Sequence, residues 1–144
     1  MRRLLSGPAA LLLTMAVAAT VLGASAHQVG STSVVQSGNS LTISASIAGL
    51  GNVPNATFSL EGSVDVSSRC YTRSGNKPQA ANKQESISVS STDTFPVRNG
   101  RTNVSFTIQP ISTLQCPGGQ HVVIESFTYD LTITGEGVSI PVQG

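Results

Sequence analysis

The sequence predicts an all-β fold: a single antiparallel β-sandwich, immunoglobulin-like, of roughly eight strands, with a closed barrel as the alternative. Three observations carry that expectation. Apolar residues recur with a period of two along the chain after residue 27, helix signals are absent, and turn residues punctuate the alternation throughout. Half-buried strands separated by turns form the pattern of two sheets packed face to face.

Each element follows from its own residues. Ser33 to Gln36 reads as a first strand, and Gly38-Asn39 as a tight hairpin turn. In Ser40 to Ile47 hydroxyls alternate with Leu41, Ile43, Ala45 and Ile47, so one face is buried and the other solvated. Gly49 to Asn55, with Pro54, breaks the pattern. From Ala56 the apolar face continues through Phe58, Leu60, Val64 and Val66 to Cys70, a strand long enough to require a bend near Gly62. Residues 73–84 lack periodicity and read as the longest loop. The pattern resumes at Ile87 and Val89 and again at Phe95 and Val97. Arg98-Asn99-Gly100-Arg101 is the strongest hairpin signal, leading into Val104, Phe106 and Ile108. After a loop through Pro110 and Cys116-Pro117-Gly118-Gly119, the stretch 121–134 changes parity. Val122 and Ile124 occupy one register and Phe127, Tyr129, Leu131 and Ile133 the other, which predicts a bulge near Glu125-Ser126. Gly135-Glu136-Gly137 turns the chain into a last strand with Val138, Ile140 and Val142.

The N-terminus predicts an address. Arg2 and Arg3 precede an apolar run from Ala9 to Leu22, and Ala24-Ser25-Ala26 fits the small-x-small pattern of a signal peptidase site. Residues 1–26 are therefore expected to be a signal peptide cut after Ala26. Residues 27–144 then form one secreted, extracellular domain. The apolar run is shorter than the ~20 residues that span a bilayer, and no Cys near the cut suggests a lipid anchor. Of the eight Lys and Arg, Arg2 and Arg3 leave with the signal, and the rest nearly balance the seven acidic residues. A near-neutral domain has no general electrostatic attraction to nucleic acid or to an anionic membrane.

The segments SLTISASIAGLG, ATFSLEGSVDVSSRCYTRSGNKPQ, TFPVRNGRTNVSFTI and CPGGQHVVIESFTYDLTIT span nearly the whole mature chain. They resemble small exported single-domain bacterial β-proteins of uncharacterised function. The resemblance implies a free-standing secreted domain and carries no functional residues across.

Candidate chemistry is sparse. Cys70 and Cys116, two cysteines in an exported chain, are expected to pair as a disulfide. A serine hydrolase needs a base and an orienting acid around one activated Ser, and only His27 and His121 could serve, with no Gly-x-Ser-x-Gly elbow. Glu61 with Asp65, or Glu125 with Asp130, could be proposed as acid and base, although strand parity puts Glu61 and Asp65 on the solvated face. Arg69, Arg73, Lys77 and Lys83 gather around the expected long loop, as a patch for acidic polymers or as a solvated loop. Asn55-Ala56-Thr57 and Asn103-Val104-Ser105 match the glycosylation acceptor pattern, relevant in a eukaryotic host.

The function expected from these residues is a secreted, non-catalytic module that binds an extracellular ligand or contributes to the extracellular surface, without a cofactor. The alternative is a copper-binding protein or oxidative enzyme. Cleavage after Ala26 would give His27 a free α-amine beside its imidazole, and His121 would supply the third nitrogen for one copper ion. In that one feature the chain is similar to secreted copper proteins of the lytic polysaccharide monooxygenase type.

Overall fold

The computed structural model describes residues 25–75 and 77–144. Most of the expected signal peptide, residues 1–24, lies outside the described residues. Among the described residues seven strands follow in order: β1 (His27–Ser37), β2 (Ser40–Ala48), β3 (Asn55–Thr72), β4 (Pro78–Pro96), β5 (Thr102–Ile108), β6 (Gln120–Gly135) and β7 (Val138–Gln143). They form two antiparallel sheets, β1-β2-β5 and β4-β3-β6-β7, packed as a sandwich rather than closed into a barrel. The β1 edge lies near β7 and the β5 edge near β4. If all but β4 are read as immunoglobulin strands A, B, C, E, F and G, the fourth strand pairs with C instead of E.

The core sits where the alternation puts it. Ile43, Ala45 and Ile47 of β2 and Val104 and Phe106 of β5 face Phe58 and Leu60 of β3, Leu131 and Ile133 of β6, and Ile140 and Val142 of β7. Phe95 of β4 meets Phe106 of β5 edge to face across the sandwich, with ring centroids 5.5 Å apart. Such a pair adds about 0.5–1.5 kcal/mol beyond its burial. Hydroxyls occupy the outer faces and pair across strands, as in Thr42 with Thr107 at 3.1 Å and Ser59 with Thr92 at 2.8 Å.

Four expectations are corrected. The first strand begins at His27 and not at Ser33. Most of the expected loop over 73–84 is strand: β3 runs to Thr72, β4 starts at Pro78, and Ser67 already pairs with Gln84. The separate strands expected around Ile87 and Phe95 are one strand, β4, which brings the count to seven. Finally, Arg98 and Arg101 form a single bridge, after which the chain crosses from one sheet to the other. A continued ladder would have kept β4 and β5 in one sheet. Instead Phe95 and Phe106 bury against each other from opposite sheets.

The bulge expected near Glu125 is present, whereas at Gly62 the ladders to β4 and β6 run on in unbroken register and the glycine serves a close approach instead of the expected bend. Ser67 pairs with Ser126 and Ser68 with Ile124, which leaves Glu125 as the extra residue of a bulge and restores the inward parity of Phe127. Gly62 has φ of 143°, and a Cβ there would collide with the Asp130 carbonyl of β6. Only glycine allows that approach.

Sheet lengths differ, and the difference shapes the molecule. β3, β4 and β6 have 18, 19 and 16 residues, whereas β2 and β5 have nine and seven. The long strands therefore overhang the short sheet, and residues 109–119 strap the exposed inner face. The Cys70–Cys116 disulfide fixes the strap, with Cα atoms 5.7 Å apart. Ser112 hydrogen-bonds the buried Ser68 hydroxyl at 2.6 Å.

Candidate functional site

The overhang end holds most of the side chains singled out in the sequence. Val66 and Ser68 of β3 stand opposite Glu85 and Lys83 of β4 on the inner face. The Glu85 carboxylate accepts from the Ser112 hydroxyl and the Thr113 amide, each at 3.0 Å, and from the Thr113 hydroxyl. Lys83 lies 3.6 Å from the same carboxylate. The Thr113 hydroxyl and amide, followed by Ser112 and the Lys83 charge, hold Glu85 down at about 2. This cluster clamps the strap to the sheet.

On the outer face of the same end, Glu125 at the bulge accepts from the Tyr71 hydroxyl at 2.6 Å and lies 3.5 Å from Arg69 Nε. Donation to that carboxylate holds the Tyr71 phenol above its ordinary range. His121 lies beside Tyr71, with ring centroids 6.4 Å apart. Of the two readings of the basic residues, a patch or a solvated loop, the patch is dispersed. Arg69 turns outward to Glu125 and Lys83 inward to Glu85, so only Arg73 and Lys77 remain together near the β3–β4 turn. The sequence showed no acid between these residues; the adjacent strand β6 supplies Glu125 to Arg69, and Glu85, two residues after Lys83 on β4, points to the same face as Lys83.

The two histidines of the copper alternative do not come together. His27 opens β1 and pairs with Ala48 in the short sheet, while His121 pairs with Tyr71 in the long one. Ala48 leads through residues 49–54 into Asn55 at the start of β3, and Tyr71 lies near its end. The strand between them covers roughly 50 Å at ~3.3 Å per residue. Antiparallel pairing with β3 forces the start of β6 to the far end of the molecule, so the two imidazoles cannot share one ion. No three His, Cys, Asp or Glu gather as metal ligands among the described residues.

The carboxylate pairs are equally unpromising as acid and base. Glu61 and Asp65 are exposed on the outer face of β3, opposite Ser90 and Ser86. Glu125 is taken by Tyr71, and Asp130 accepts from Gln143 Nε2 at 3.2 Å. Neither pair is enclosed.

The opposite end of the sandwich holds a cleft of about 530 Å³, lined by Val29, Ile47, Pro96, Arg98, Arg101 and Asn103, with Ser46 and Thr102. Its frame is backbone. Arg98 N–H donates to Arg101 O at 2.9 Å and Arg101 N–H to Arg98 O at 3.0 Å, around a turn in which Asn99 and Gly100 have φ of 51° and 74°. Both central residues at positive φ mark the I′ geometry that Asn-Gly favours. Leu50 N–H binds Gly100 O at 3.0 Å and Val97 N–H binds Pro54 O at 2.9 Å, which docks the turn against the β2–β3 connection. Thr102, buried, donates to Pro96 O at 2.8 Å. In the sequence these arginines read only as flanks of a turn. The available signal was a pair of like charges at hydrogen-bonded positions, with no acid from Thr94 to Ile124.

No protein-family model matches this chain, and no curated protein matches it.

Proposed function

We propose that the chain is an exported, non-catalytic binding module: residues 27–144 are the working domain, released by cleavage after Ala26, and the Arg98–Arg101 cleft is its binding site. The cleft carries this reading. Its volume of about 530 Å³ falls in the range of small-molecule sites, and its walls combine apolar, amide, hydroxyl and guanidinium groups on a fixed backbone. No nucleophile with an adjacent base lines it, so recognition is the chemistry these side chains support. The disulfide suits an oxidising compartment. Among the described residues no helix is long and apolar enough to cross a membrane.

Export is tested by expressing the full chain in a secreting bacterial host and sequencing the N-terminus of the protein in the medium. The expected first residues are His-Gln-Val-Gly. Protein retained in the cells, or recovered outside with Met1 in place, would contradict the reading.

A further inference from the structure

We infer that the Arg98–Arg101 cleft binds an oxyanion carried on a sugar-sized body, a phosphate ester or a carboxylate. This names the ligand class for the site proposed above and rests on that reading.

Like charge without compensation is the first observation. Arg98 and Arg101 are a directly opposed, doubly hydrogen-bonded pair, which puts both side chains on one side of the turn, and both line the cleft. Like charges directly opposite are destabilising in a sheet. None of the seven acidic residues lines the cleft: Glu61 and Asp65 lie in β3, Glu85 and Asp93 in β4, Glu125 and Asp130 in β6, and Glu136 in the β6–β7 turn, with Asp93, five positions before Arg98, the nearest in sequence. None forms an ion pair with either arginine. β1, β2, β5 and the connections 49–54 and 97–101 contain no acid at all. Both side chains are exposed, so they are free to take a ligand; a bound anion adds a direct counter-charge, and a guanidinium fork matches the oxygens of phosphate or carboxylate.

The cleft itself is the second, independent observation. At about 530 Å³ it is far larger than a bare ion needs. Val29, Ile47 and Pro96 offer apolar wall, while Ser46 Oγ donates to Asn103 Oδ1 at 2.7 Å and so leaves the Asn103 amide nitrogen as a donor. A pyranose has the matching character, with apolar C–H faces and hydroxyl acceptors. The docked turn holds both arginine backbones in place before the ligand arrives, which lowers the ordering cost of binding. Removal of the signal would put the His27 α-ammonium at this same end, one pair beyond Ile47, and strengthen the field.

The test is calorimetric titration of disulfide-bonded residues 27–144, produced by export of the full chain, with glucose 6-phosphate, glucuronate, glucose and inorganic phosphate. At least one of the two anionic sugars should bind 1:1, and the tighter of them identifies the oxyanion. Glucose should not bind, and inorganic phosphate should bind more weakly than the tighter anionic sugar. Arg98→Gln and Arg101→Gln should each weaken that sugar by about tenfold or more. Arg73→Gln/Lys77→Gln, at the far end, should leave it unchanged. The Arg98→Gln and Arg101→Gln proteins should melt no lower than the parent, because a like-charge contact is relieved, and the anionic sugar should raise the melting temperature of the parent alone. Absence of saturable binding by both anionic sugars, equal affinity in the Arg→Gln variants, or inorganic phosphate binding as tightly as the sugar would overturn the inference, even with export confirmed.

Discussion

At neutral pH the Glu85 carboxylate accepts from Ser112 and from both the hydroxyl and the amide of Thr113, so a single charged side chain ties the strap to β4. Its folded pKa is lowered to about 2 from 4.5. A depressed carboxylate contributes stability above its unfolded pKa, and that contribution disappears as pH falls through the folded value. Glu85→Gln is therefore expected to melt below the parent at pH 7, with the gap closing between pH 4.5 and about 2. Melting curves at pH 7, 4 and 2 check this, and a gap independent of pH would assign the loss to packing. Gly62 makes a second prediction at this scale. The Asp130 carbonyl occupies the place of a Cβ, and φ is 143°. Gly62→Ala should cost roughly 2–4 kcal/mol in urea unfolding, and a cost below about 0.5 kcal/mol, the level of ordinary surface changes, would mean the strand adjusts freely.

Among the elements, the strap depends most on its covalent link. Residues 109–119 have no strand of their own, and the disulfide closes a loop with a sequence separation of 46. Cys70→Ala/Cys116→Ala should lose roughly 3–4 kcal/mol in the chain-entropy model, read as a lower urea midpoint, whereas an unchanged midpoint would make the bridge energetically idle. Elements that pack on one face against the core were legible in sequence. Leu41, Ile43, Ala45 and Ile47 in β2 and Val138, Ile140 and Val142 in β7 alternate strictly because every second residue is buried. The bulge at Glu125 was legible for the same reason, since the parity of Phe127 had to return to the core. β4 was not. Its first half, Pro78 to Gln84, is an edge strand in the overhang with little apolar burial on either face, so its register comes from pairing with β3. The sheet switch after Pro96 was hidden too, because Asn99-Gly100 makes the same turn whether the flanking strands pair or part. The candidate site shared that fate. Arg98 and Arg101 become a site only when β5 has crossed to the second sheet and Ser46, Ile47 and Asn103 close round them.

Over the whole molecule, charge is segregated by sheet. The acidic residues lie in the long sheet and its β6–β7 turn, where Glu85 and Glu125 neutralise Lys83 and Arg69, while the short sheet and its connections carry Arg98, Arg101 and His27 without an acid. The outer faces are paved with paired hydroxyls that satisfy one another, among them Thr57 with Thr94 and Ser44 with Ser105. On the long sheet these hydroxyls are interspersed with Glu61, Asp65 and the Arg69–Glu125 pair, so the charge exposed there is mostly acidic or already paired. Among the described residues, basic charge, cavity and rigid backbone coincide at the Arg98–Arg101 end. The most direct test is to follow the backbone amide resonances of residues 27–144 by NMR while the tighter-binding of glucose 6-phosphate and glucuronate is added. A site at the Arg98–Arg101 end requires shifts confined to Val29, Ser46, Ile47 and residues 98–103. Shifts centred instead on Tyr71, His121, Arg73 and Lys77 at the far end, or spread evenly over the surface, would contradict it.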